Sequence, residues 1–122
     1  MFNKYLKTIH ATITAKDPTK LARWYEDTLG IRIGVELTKK DRLPVYFLKS
    51  GSRCEIEIHP SVQPHIGLVV SDFEKASKEL ASNGIALRDV QFTSGGWKIG
   101  FFEDLEGNLL ELEHRPKGTP QV

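Results

Sequence analysis

The sequence predicts an α+β fold made of two tandem βαβββ modules, and three observations lead there. Strand-like and helix-like segments follow one another in the order β, α, β, β, β, and that order then repeats. Each predicted helix opens on an Asp and closes at a Gly, Asp17 with Gly30 and Asp72 with Gly84. Shifting the chain against itself by 55 residues, and by 54 after the helix, superposes these caps together with core positions and a few polar residues.

The first strand is predicted in "KTIHATITAK", where Ile9, Ala11 and Ile13 alternate with Thr8, His10, Thr12 and Thr14. "KDPTKLARWYEDTLG" predicts a helix with Asp17 as N-cap, Pro18 at the first helical position and Gly30 as the stop. Leu21, Trp24, Tyr25 and Leu29 fall at helical spacing and are expected to form its core face. "IRIGVEL", "PVYFLKS" and "CEIEIH" predict the next three strands, with turns at "KKDRL" and "SGS". The second module is expected to run through the strand "HIGLVVSD", the helix "DFEKASKELASNG" and the strand "IALRDVQF". It continues through the turn "TSGG", the strand "WKIGFFED", the turn "LEGN" and the strand "LLELEH". Module one is placed at about residues 5–60 and module two at about 64–115, within a single domain of 122 residues.

Bulk properties narrow the function. Hydrophobic residues make up 39% and charged residues 27%, as in soluble globular proteins. Seventeen basic against sixteen acidic residues leave +1, which gives no electrostatic case for nucleic acid or an anionic membrane. One cysteine, Cys54, excludes an intramolecular disulfide framework and fits a reducing compartment. No stretch has the apolar length of a signal peptide core or a membrane span, so a cytoplasmic protein is expected.

The repeat sorts the polar residues. His10 pairs with His65 at shift 55, while Phe47 pairs with Phe101 and Glu57 with Glu111 at shift 54. The change of register implies one residue more in the first helix. Two imidazoles and two carboxylates suit a divalent first-row ion such as Ni, Zn, Fe, Mn or Co. His10, Glu57, His65 and Glu111 are therefore the candidate metal ligands, since a carboxylate inside a fold is costly unless paired or metal-bound.

Their neighbours read differently. In "CEIEIH" the aliphatic Ile56 and Ile58 match Leu110 and Leu112 of "LLELEH", so the apolar faces of the two strands superpose. Cys54 is expected to be a small core hydrophobe, His59 to end its strand before Pro60, and His114 to point away from Glu111. Glu113 could do no more than support the ligands from behind. "TSGGWKIG" lacks the context of a dinucleotide or P-loop site and reads as a hairpin. Trp24 and Tyr25 are expected in the core rather than on a binding platform.

With these residues in place, the chain resembles the glyoxalase, bleomycin-resistance and extradiol-dioxygenase superfamily, the vicinal oxygen chelate proteins. "IHATITAKDPTKLARWYEDTLGIRI", "PHIGLVVSDFEKASKELASNGI" and "GFFEDLEGNLLELE" carry the resemblance, which spans roughly residues 10 to 115. Leu105 stands where the last hairpin of the family usually has proline. The resemblance implies a curved mixed sheet around a metal site, and a homodimer with module swapping. It implies His10, Glu57, His65 and Glu111 as the ligands, a set like that of glyoxalase I. Related methylmalonyl-CoA epimerases have glutamine in the place of Glu57. Extradiol dioxygenases use two histidines and one glutamate, and metal-free antibiotic-binding members lack the set.

The implied activity is that of a metal-dependent lyase or isomerase acting on a small carbonyl substrate. The ion would stabilise an enediolate as a Lewis acid, with Glu111 as the catalytic base and Glu57 able to serve on the opposite face. Two other functions share the fold: metal-free sequestration of an antibiotic-like ligand, and extradiol dioxygenation. Arg32, Arg53 and Lys98 are expected to be solvated surface charges, with an anionic substrate as the alternative partner.

Overall fold

The structure is a computed structural model that describes residues 1–49 and 54–118. The predicted turn at 50–52 and Arg53 lie outside the described residues. The chain divides into two compact units, one running His10–Pro64, the other joining Met1–Ile9 to the segment from His65 onward. The division falls inside the first strand, β1 (Leu6–Thr14).

In the His10–Pro64 unit, β1 leads to α1 (Pro18–Trp24), then β2 (Arg32–Lys39), β3 (Arg42–Lys49) and β4 (Cys54–His59). The strand order is β2-β3-β4-β1, with β2–β3 and β3–β4 antiparallel. In the other unit, β5 (His65–Val70) leads to α2 (Phe73–Ser82), then β6 (Arg88–Phe92), β7 (Lys98–Glu103) and β8 (Leu109–His114). The order there is β5-β8-β7-β6, with β5–β8 parallel and the other pairs antiparallel. Each unit thus realises the predicted βαβββ sequence in an α+β arrangement, and strand directions are mixed in the unit that carries β5 to β8.

Both predicted helix starts form. The Asp17 carboxylate accepts from Lys20 N at 3.1 Å and the Asp72 carboxylate from Lys75 N at 3.0 Å, each satisfying a donor the first helical turn leaves open. Both helices stop at a glycine with positive φ, Gly30 at 69° and Gly84 at 81°. Between these landmarks the first helix carries its extra residue as a π-helical turn, Tyr25–Leu29. A π turn is how a helix absorbs a one-residue insertion, and here it accounts for the change of repeat register from 55 to 54.

That turn also corrects the expected core face. Pro18 and Ala22 are buried and Leu21 and Tyr25 pack against the core, but Trp24 and Leu29 are about half exposed. The wider turn rotates Leu29 off the α-helical stripe, whereas Trp24, still within α1, lies two residues from the buried Ala22 and so on the opposite side of the helix. Trp24 instead meets the Tyr25 ring edge-on at 5.4 Å.

Each helix covers the apolar face of its own strands. Ala22 of α1 lies in one cluster with Ala15, Tyr46, Leu48 and Ile58. Phe73, Ala76 and Leu80 of α2 pack with Val70, Phe102 and Leu112. Ile58 and Leu112, matched in the repeat, are both fully buried, with Ile56 and Leu110 beside them in their respective clusters. An N-terminal 3-10 turn, Phe2–Tyr5, adds Phe2 and Tyr5 to the α2 cluster, and Ser71 N donates to Tyr5 O at 2.9 Å.

Two further expectations are corrected. β6 begins only at Arg88, because Ile85 and Leu87 turn inward against the α2 cluster instead of pairing. Cys54 is exposed rather than in the core, since it sits at the first residue of β4, where the apolar layer ends. Among the described residues no helix is long and apolar enough to cross a membrane.

Candidate metal centre

On β1 the buried face is the polar one. His10 and Thr12 are fully enclosed, while Ala11 is exposed and Ile9 is 37% exposed. The apolar cover supplied by α1 reaches only the far end of the strand, at Ile13 and Ala15. His10 is thus held inside by backbone alternation, on the same face of the strand as Thr12.

Its partner comes from β4. Glu57 Oε1 lies 3.2 Å from His10 Nε2, and the Glu57 side chain is 12% exposed. The Phe47 ring meets the His10 imidazole edge-on, with centroids 6.0 Å apart and planes at 88°. Phe47 is also the cross-strand neighbour of Glu57 in the β3–β4 ladder.

The second unit repeats this arrangement residue for residue. Glu111 Oε1 lies 3.4 Å from His65 Nε2, and both side chains are buried. Phe101 meets the His65 ring edge-on at 5.6 Å and 89°, and it faces Glu111 across the β7–β8 ladder. Each unit therefore contains a His–Phe–Glu trio: imidazole on the opening strand, carboxylate on the closing strand, and a phenyl ring that packs against one and pairs with the other.

The chemistry of the trio favours a cation. A buried carboxylate beside an imidazole nitrogen is costly to keep without a positive partner. Oxygen and nitrogen donors of this kind suit divalent first-row ions. Enclosure by an aromatic ring restricts water, which strengthens electrostatic interactions.

The neighbouring residues fall into place around the trios. Glu55, two residues before Glu57 on the same face, is 3% exposed, and its Oε1 lies 3.8 Å from His10 Nδ1. Thr12 Oγ1 donates to Glu57 Oε1 at 2.8 Å. In the other unit Glu113 is buried and accepts from Arg115 Nε at 2.6 Å. His114 Nδ1 lies 3.1 Å from Val70 O, on the α2 side of the strand and away from Glu111 as expected.

His59 closes β4. Its Nδ1 accepts from the backbone of Ser61 and Val62, each at 3.1 Å, and Arg42 Nη1 lies 3.0 Å from its Nε2. Lys98, a candidate for an anionic substrate, lies 2.6 Å from Glu74 on α2, and that ion pair holds the Glu74 carboxyl below its ordinary range. Arg32 is exposed at the start of β2.

A family model described as Glyoxalase/Bleomycin resistance protein/Dioxygenase superfamily matches residues 7–112. The chain belongs to this superfamily. Three similar solved structures show how far the glyoxalase-like fold extends. Methylmalonyl-CoA epimerase from Mycobacterium tuberculosis is 21% identical, with 92% of this chain and 88% of that one covered at a TM-score of 0.66. A hypothetical protein from Bacillus halodurans C-125 is 16% identical, with 95% and 97% covered at 0.68. A Streptomyces coelicolor methylmalonyl-CoA epimerase variant in complex with 2-nitronate-propionyl-CoA is 17% identical, with 96% and 99% covered at 0.69. At these identities the likeness concerns the fold. No curated protein matches the sequence significantly.

Within this superfamily chain, the sequence reading missed two residues. The repeat singles out neither, since Leu109 stands at the place of Glu55 and Gly67 at the place of Thr12. The available signal was alternation: each shares a strand face with a candidate ligand two residues away. The family's usual proline is also dispensable. Leu105 is fully exposed, and the turn is held by Asp104, whose carboxylate accepts from Glu106 N, Asn108 N and Asn108 Nδ2, each at 2.9 Å.

Proposed function

We propose that the two trios serve one divalent metal ion, held by His10, Glu57, His65 and Glu111, and that the protein is a lyase or isomerase that moves a proton next to a carbonyl group. The observation that carries this reading is the repetition of the buried His–Phe–Glu trio, with Nε2–Oε1 separations of 3.2 and 3.4 Å. Two unrelated surface pairs would have no reason to share the same strand positions and the same aromatic neighbour. The donor set offers two imidazole nitrogens and two carboxylates, which fits a divalent ion and leaves positions for substrate oxygens.

When bound, such an ion would act as a Lewis acid toward a carbonyl oxygen. The side chains do the rest. The Glu111 carboxylate takes the proton from the carbon beside the carbonyl and returns it to the product. His10 and His65 hold their rings fixed against Phe47 and Phe101.

The neighbouring folds favour one refinement. Two of the similar structures are epimerases of an acyl thioester, so an acyl thioester with a proton on its C2 carbon is the first substrate class to examine. A glutamate at position 57 belongs instead with the glyoxalase I pattern, so hemithioacetals of 2-oxoaldehydes stand beside it. Both substrate classes require the same elementary step. The test is ²H incorporation in ²H₂O, followed by NMR, with metal-loaded protein and one substrate of each class. Exchange at the carbon beside the carbonyl is expected, and its loss is expected in Glu111→Gln. A protein that binds metal yet exchanges neither substrate would sink the assignment of these substrates.

A further inference from the structure

We infer that Thr12 is a positioning residue that fixes the Glu57 carboxylate as a permanent ligand, an inference that deepens the metal reading above and rests on it. Thr12 is 2% exposed and follows His10 by two residues on the same face of β1. Its hydroxyl donates to Glu57 Oε1 at 2.8 Å, and the same oxygen lies 3.2 Å from His10 Nε2. One carboxylate oxygen is thus addressed from β1 by two side chains at once.

Threonine suits this task because its β-branched side chain has few χ1 choices, so a buried hydroxyl keeps its direction. A hydroxyl donor to an ionised carboxylate makes a strong, short hydrogen bond. Such outer partners orient the groups that hold a metal, and losing one typically costs about 10–100-fold in metal affinity.

The other unit does not repeat this hold. The residue at the place of Thr12 is Gly67, whose Cα is the direct partner of Glu111 in the parallel β5–β8 ladder and which carries no hydroxyl. The repeat therefore keeps His, Phe and Glu, while the place of the threonine hydroxyl is taken by a glycine. Glu57 is built as the stationary carboxylate.

The experiment is a Co²⁺ titration of chelator-free protein, read by calorimetry and by the visible absorption of the bound ion. Thr12→Val removes the hydroxyl at nearly constant shape, and Thr12→Ser keeps it. Affinity about 10-fold or more weaker, with a changed Co²⁺ spectrum, is expected for Thr12→Val. Thr12→Ser should restore both, while the metal-free thermal midpoints of the two variants stay together. Should Thr12→Val fail to fold, Thr12→Ala against Thr12→Ser carries the same comparison. Wild-type affinity and spectrum in the variant without the hydroxyl would overturn the inference and leave the metal reading standing. A wild-type chain that takes up no Co²⁺ would overturn both.

Discussion

In the unit that runs His10–Pro64, the His–Glu pair sits among further polar groups, with Thr12 donating to Glu57 and the buried Glu55 near His10 Nδ1. In the other unit, Gly67 stands beside Glu111, and the nearest extra charge on β8, Glu113, lies 2.6 Å from Arg115. The helices differ as well, one regular and one closing through a π turn. What the two units hold in common is the trio and the apolar layer behind it. The difference teaches that the repeat preserves the His, Phe and Glu positions and the packing under them, while the polar groups beside each His–Glu pair differ.

Substitutions can break the common part. His10→Ala and His65→Ala should each abolish divalent-ion binding, a larger effect than the about 10–100-fold carried by outer partners. Equilibrium dialysis against Zn²⁺ measures it, and retention of tight binding in either variant would remove that pair from the site. Next in size is Glu55→Leu, which removes a group near His10 that has no acidic counterpart in the second unit. Metal affinity about 10-fold lower is expected, and an unchanged affinity would make Glu55 irrelevant to His10.

The framework should respond equally in the two units. Asp17→Ala and Asp72→Ala each remove an N-cap and should each lower stability by about 1 kcal/mol in urea unfolding. A marked inequality would show that the π turn changes how the first helix depends on its cap.

The smallest expected effects concern pH. Asp104 is held below its ordinary carboxyl value, chiefly by the Asn108 side chain and then by Asn108 N. Glu26 is lowered chiefly by the hydrogen bond from Ile33 N, at 3.1 Å, which ties the π turn to β2. A depressed folded-state value means that the contribution is present above the ordinary carboxyl pKa and is lost as pH falls through the folded value. The acid limb of the stability curve should therefore flatten slightly in Asp104→Asn and in Glu26→Gln. An unaltered limb in both would mean that neither hydrogen bond matters to folding.

Much of this was legible in the sequence because its signals were local. Caps at Asp17 and Asp72, stops at Gly30 and Gly84, and alternation in "CEIEIH" and "LLELEH" act within a few residues, and the structure realises them all. The repeat then singled out His10, Glu57, His65 and Glu111 and matched Phe47 to Phe101. The role of the phenyl rings was not legible, since a matched phenylalanine reads as core until its ring is seen edge-on to a histidine. Leu29 was misplaced because helical spacing assumes 3.6 residues per turn and the inserted residue breaks that period, and Trp24 because the core-facing stripe of the first helix runs through Pro18, Ala22 and Tyr25 and leaves it to one side. Cys54 was misplaced because alternation gives a face but not where along the strand the apolar cover ends.

The central claim is that two equivalent pairs serve a single ion, and metal stoichiometry addresses it most directly. Protein purified without chelator and loaded with a divalent ion is assayed by elemental analysis, beside the Glu57→Ala and Glu111→Ala variants. The account predicts one ion per chain in the wild type and loss of that ion in each variant. Two ions per chain, or one ion retained whichever glutamate is removed, would contradict it.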